Sequence, residues 1–295
     1  MASVSAKQER MKSLSFRVSC VAAALGAAAS LFSTATASAG GEETCPDTVV
    51  LVARGSDQNE EQGEYIGPQR YSAKAPESTG FEGRNFAALF HQVEQRHPGA
   101  MDGVYVLALD SEAYPAAMNL PPLAQEGEDL GPLQLVQRAF GILQQHSLGE
   151  LAYSVTFGAV ESLRTGARNA PKVVDNYEAT TGCHPRWVAA GYSQGALVAT
   201  SVEGYLAETG RLQAVLTIGN PLHQVPWAKN RAGLPGNRYV DYCLDGDFVC
   251  DFSLESANRA LATKAERHAS YFLGEPSGQD VQVIDAVAGI LTSHD

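Results

Sequence analysis

The chain has 295 residues, 44% apolar and 18% charged, which excludes disorder throughout and suits one large globular domain. Its formal net charge is −12 and it has no basic stripe, which excludes nucleic acid and anionic membrane surfaces as partners. A surface so acidic is well solvated and repels copies of itself, which predicts a monomer.

The chain opens on a basic stretch with Lys7, Arg10, Lys12 and Arg17, followed by an alanine-rich apolar run from Val18 to Phe32. Ala37-Ser38-Ala39 then gives the small-x-small pattern at which a signal peptidase cuts. Residues 1–39 therefore read as a secretory signal, too short and too weakly apolar for a stable membrane span. This places the protein outside the cell or in its envelope, with 40–295 as the mature domain. The leader carries four Lys or Arg and one Glu, so its net +3 leaves −15 for the rest. Cys20 departs with it. Four cysteines remain: Cys45, Cys183, Cys243 and Cys250. An even number in an oxidising compartment predicts two disulfides. Cys243 and Cys250 most simply clip a short loop, which leaves Cys45 with Cys183. No Cys-x-x-Cys or histidine cluster suggests a metal, and nothing suggests a cofactor.

Thr48–Ala53 (T-V-V-L-V-A) is a continuous apolar, β-branched run, as expected of a strand buried on both faces of a parallel sheet. Phe86, Leu89, Phe90 and Val93 recur at helical spacing, and Pro98 ends that helix. Val104–Leu109 is a second buried strand. Leu120–Leu148 is the least regular stretch. It holds Pro121-Pro122, then Glu126, Glu128 and Asp129, then apolar residues at helical spacing (Leu133, Val136, Phe140, Leu143). It reads as an inserted segment, an extra packed helix rather than a lid. Trp187–Ala190 is a third strand, Ala196–Ala207 a helix, Val215–Ile218 a fourth strand and Arg238–Tyr242 a fifth. Val281–Leu291 closes the chain as a helix, with Ile284, Val287 and Leu291 on one stripe. Strands alternating with helices predict an α/β fold, with about five mostly parallel strands and helices on both faces.

Gly191-Tyr192-Ser193-Gln194-Gly195 fits Gly-x-Ser-x-Gly, between a predicted strand and a predicted helix. In that setting the serine sits on a sharp strand-to-helix turn, where flanking glycines remove side chains that would clash. The helix then points its free N–H groups at the place where negative charge develops on a substrate oxygen. A serine hydroxyl needs a neighbouring base, and in such elbows the order along the chain is Ser, then Asp or Glu, then His. His268 and His294 are the available histidines. His268, in R-H-A-S-Y, is the better placed, since His294 is next to last. The acid belongs on a loop after a late strand, and Cys243–Cys250 offers Asp245 and Asp247, with Asp251 just outside. Spacing does not choose between Asp245 and Asp247.

These motifs, taken jointly and in order, resemble the cutinase family of serine esterases, a compact branch of the α/β-hydrolases. The residues that carry the resemblance are C-P-D-T-V-V-L-V-A-R-G-S (Cys45–Ser56), G-Y-S-Q-G-A (Gly191–Ala196), C-L-D-G-D-F-V-C (Cys243–Cys250) and H-A-S-Y (His268–Tyr271). The resemblance implies Ser193 as nucleophile, His268 as base and Asp247 as the acid that orients it. It implies an oxyanion hole from Ser56 and the backbone N–H of Gln194, and the disulfides Cys45–Cys183 and Cys243–Cys250. Asn220, in Gly219-Asn220-Pro221, stands where a related Gly-Asp-Pro often appears, so it is not a spare acid. The implied activity is hydrolysis of carboxylic esters in a lipid or polyester. An esterase or acyltransferase acting on cell-envelope lipids is the alternative within enzymes. A secreted binding module on the same fold is the alternative outside them.

Overall fold

Thr48–Ala53 forms strand β1, and all six of its side chains are buried. Alternate residues feed two separate cores, because successive side chains of a strand point to opposite faces. Val50 and Val52 join one cluster, and Val49, Leu51 and Ala53 join the other. The same division runs through β3 (Arg186–Tyr192) and β4 (Leu212–Ile218). Val188, Ala190, Leu216 and Ile218 face the first cluster; Trp187, Ala189 and Val215 face the second. β2 (Val104–Ala108) and β5 (Tyr239–Tyr242) lie at the two edges and are only partly buried. The sheet order is β2-β1-β3-β4-β5, and every pairing is parallel.

This is a computed structural model. It describes residues 44–118, 148–251, 253, 256 and 266–293, with only the backbone described for 148–157. The predicted leader, all of the predicted insert before its last residue Leu148, and His294 lie outside the described residues.

Helix α1 (Gly83–Arg96) and the last helix, Gly278–Thr292, cover the first face. Phe86, Leu89, Phe90 and Val93 from α1 meet Ile284, Val287 and Leu291 there. The second face carries α2 (Leu148–Thr181) and α3 (Gln194–Glu208). Ala170 and Val174 of α2 pack with Val198, Ala199, Val202 and Leu206 of α3. A one-turn helix, α4 (Glu266–Ala269), precedes the last helix, which becomes α5. The predicted architecture is therefore the observed one, with sharper bounds. α5 begins at Gly278 because Ser277 accepts from the Asp280 N–H while Asp280 reaches back to the Ser277 N–H, a reciprocal cap.

α2 is the element that the sequence reading omits. Its buried positions include small residues (Ala170, Ser162), and Pro171 sits inside it. Small residues and a proline blur the apolar stripe on which a helix is recognised. Among the described residues, no helix is long and apolar enough to cross a membrane.

The two disulfides join Cys45 to Cys183 and Cys243 to Cys250, with Cα separations of 5.5 and 5.9 Å. The first ties the start of β1 to the end of α2. The second closes the loop after β5.

Candidate active site

The sheet order reverses between β1 and β3. β1 leads outward to β2 on one side, while β3 leads through β4 to β5 on the other. In such sheets the usual ligand site is where the chains leaving the carboxyl ends of neighbouring strands diverge, here those of β1 and β3. Ser193 stands there, between β3 and α3.

Its backbone has φ 54° and ψ −121°, outside the comfortable regions for a residue with a side chain. The turn is held by Ser193 N–H donating to Ile218 O at 2.9 Å. It is possible only because glycines flank it. A Cβ on Gly191 would meet Gly195 O at 2.3 Å, and one on Gly195 would meet Ala53 O at 2.0 Å and Arg54 O at 2.4 Å. The obstructing atoms are backbone, so they cannot swing aside. Gly195→Ala is expected to cost about 3 kcal/mol or more of stability, the upper end for overpacking, by prising α3 from the end of β1. A thermal melt that matches wild type would contradict this.

Ser193 Oγ lies 2.7 Å from His268 Nε2, and His268 Nδ1 lies 2.7 Å from Asp247 Oδ2. A carboxylate only accepts, so Nδ1 carries the proton and Nε2 is left to accept from the serine hydroxyl. Three residues separated by up to 75 positions are thus in line. Asp247 is fully buried. Burial pushes its carboxyl up, but hydrogen bonding and charge at His268, the Tyr271 hydroxyl and the Val249 N–H together hold it below the ordinary aspartate value. Tyr271 donates to the same Oδ2 at 2.6 Å, and Val249 N–H donates to Oδ1 at 3.0 Å. A lowered carboxyl adds stability above the ordinary aspartate range, and that contribution is lost as pH falls through the lowered value. Asp245 turns instead to the periphery, where its carbonyl accepts from Arg267.

Ser56 lies in the turn just past β1, half-buried. Gly55 before it packs on Tyr192, so closely that a Cβ would meet the ring at 2.6 Å. Gln194 is the first residue of α3, where a backbone N–H has no partner within the helix. Its side chain is fixed: Oε1 accepts from Tyr114 OH at 2.9 Å and Ser162 Oγ at 3.2 Å. Arg54, almost wholly buried, ties this region to the loop after β2. It donates to Leu109 O at 2.5 Å, Tyr114 O at 3.0 Å and Ser111 Oγ at 3.1 Å.

Several contacts here have no counterpart in the sequence reading. The Tyr192 hydroxyl donates to His268 O, and its ring lies 5.3 Å from the imidazole. Gly219 has φ +56°, and a Cβ there would meet His268 Cε1 at 2.8 Å, so the ring seats only against glycine. Tyr192 was an unspecified position of its motif, and Gly219 had only its place in Gly-Asn-Pro. Asn220 donates to Asp241 Oδ1 at 3.2 Å. Asp241 also holds His223 Nδ1 and Lys229 Nζ, each at 3.0 Å. A cavity of about 250 Å³ beside that pair is lined by β5 and α5, including Tyr242 and Gln279. Neither Ser193 nor His268 lines it. Among the described residues, no group of three or more His, Cys, Asp or Glu is arranged to hold a metal.

A family model described as Cutinase matches residues 136–279. The match takes in Ser193, Asp247 and His268 and begins after the Cys45–Ser56 stretch. No curated protein matches the chain. Among solved structures, the chain is similar to a Trichoderma reesei cutinase in complex with a C11Y4 phosphonate inhibitor. The two are 18% identical over 84% of this chain and 78% of the other, with a TM-score of 0.44. It is also similar to a cutinase-like protein from Cryptococcus sp. (16% identity, 80% and 98% covered, TM-score 0.35) and to an acetylxylan esterase (15%, 84% and 100%, TM-score 0.41).

Proposed function

We propose, from the premise that the chain belongs over residues 136–279 to the cutinase family, that it is a secreted serine hydrolase of carboxylic esters. The observation that carries the proposal is the aligned set Asp247–His268–Ser193, with both contacts at 2.7 Å. His268 takes the proton of the Ser193 hydroxyl as the oxygen attacks the ester carbonyl. The carbonyl oxygen, now negative, is held by the Gln194 N–H and by Ser56. His268 returns the proton to the leaving alcohol, and an acyl group remains on Ser193. Water, deprotonated by the same imidazole, then frees the acid. Asp247 fixes the tautomer and steadies the imidazolium, and it stays charged throughout.

Two disulfides fit an oxidising compartment, and with the leader pattern of residues 1–39 they support secretion. The substrate class is a lipid or polyester ester, attacked by a monomer without metal or cofactor.

Hydrolysis of a p-nitrophenyl ester series from short to long acyl chains tests the reading. Turnover is expected across part of the series and lost in Ser193→Ala. No turnover by folded wild-type protein on any chain length would refute it.

A further inference from the structure

The loop after β1 and the turn that carries His268 are joined by a chain of amides in the described structure. Gly55 N–H donates to Gln58 Oε1 at 3.0 Å. Gln58 Nε2 donates to Asn85 Oδ1 at 2.8 Å. Asn85, in the first turn of α1, donates through Nδ2 to Ala269 O at 3.1 Å and Tyr271 O at 2.9 Å. Both side chains are buried. The polarity of every link is forced. A backbone N–H can only donate, so Gln58 must turn its oxygen to Gly55 and its nitrogen to Asn85. Asn85 must then present its oxygen to Gln58, which leaves its nitrogen for two carbonyls that can only accept. Room for the relay is kept by Gly83, where a Cβ would meet Gln58 Oε1 at 2.6 Å and φ is +74°.

At one end of this relay, Gly55 immediately precedes Ser56. At the other, Ala269 follows His268, and Tyr271 donates its hydroxyl to Asp247. We propose that Gln58 and Asn85 are positioning residues, an amide relay that sets the oxyanion loop and the histidine turn at a fixed spacing. This rests on the esterase reading above. The relay touches no reacting atom. It fixes the distance between the group that moves the proton and the loop that stabilises the negative oxygen, so its loss falls on the transition state more than on substrate binding.

Asn85→Asp is the sharpest test, because it keeps shape and reverses polarity. One carboxylate oxygen still accepts from Gln58, and the other faces the two carbonyls that Nδ2 served. Gln58→Met breaks the same relay from the loop side and serves where the aspartate variant does not fold. Active sites are counted by end-point reaction with a fluorophosphonate, and p-nitrophenyl butyrate hydrolysis is referred to that count. Loss of an entire oxyanion donor lowers turnover about 10²–10³-fold, so a displaced loop should cost kcat per active site at least about tenfold, with KM changed less than about threefold. A residue that only holds the fold together would lower the melting temperature and the number of active sites, and leave kcat per site alone. That result in either variant would overturn the relay. A wild type that reacts and turns over beside an unchanged variant sinks the relay alone. A folded wild type that never reacts with the probe sinks the esterase reading and the relay with it.

Discussion

Replacing Ser193 by alanine will lower kcat for ester hydrolysis by about 10⁶-fold, the loss met when the nucleophile of such a triad is removed. The size follows from what remains. His268 keeps its place, and the proposed oxyanion donors, the Gln194 N–H and Ser56, are not altered by the substitution. Binding and oxyanion stabilisation therefore persist, worth roughly 10³-fold over water, while the covalent route is gone. Stability should change little, because alanine loses one hydrogen bond, to His268, and keeps the backbone bond to Ile218 O. Steady-state kinetics with p-nitrophenyl butyrate, beside a thermal melt, check both halves. A folded variant that keeps more than about a tenth of wild-type kcat would remove Ser193 from the chemistry.

Asp247→Asn is expected to lower kcat by about 10⁴-fold in a folded protein. Each carboxylate oxygen accepts: Oδ2 from His268 Nδ1 and Tyr271 OH, Oδ1 from Val249 N–H. An amide must aim its NH₂ at one of these donors. Placed at Oδ2, it faces His268 and favours the tautomer in which Nδ1 accepts and Nε2 carries the proton. That imidazole cannot take the serine proton. Placed at Oδ1, it opposes the Val249 N–H and strains the loop closed by Cys243 and Cys250. A loss of less than tenfold, at a melting temperature near wild type, would mean that the acid does not govern the tautomer.

The sheet was legible because its strands are short apolar runs buried on both faces, the case in which composition alone marks a strand. β1 appears in the structure with the predicted bounds, and β3 and β4 extend by one to three residues into polar or small positions such as Arg186 and Gln213. α2 was not legible, because its contacts are made through Ala170, Ser162 and Val174 against α3, and small residues carry little periodic signal. At the site, Ser193 and His268 could be picked out from local patterns, while Asp247 was told from Asp245 only by the family resemblance. Tyr192, Gly219 and Asn85 could not, because their contacts at the site are with residues far along the chain. Asn85 and Tyr271 lie 186 residues apart, and no pattern in a single sequence joins them. The predicted insert before Leu148 lies outside the described residues.

The central claim is that the Ser193 hydroxyl, activated by His268, is a nucleophile. Intact-mass analysis after incubation with a fluorophosphonate measures this directly. One covalent adduct per chain is expected, mapped by peptide sequencing to the segment holding Gly191–Ala196, with no adduct in Ser193→Ala. A folded wild-type chain that gains no mass, or gains it at another residue, would contradict it.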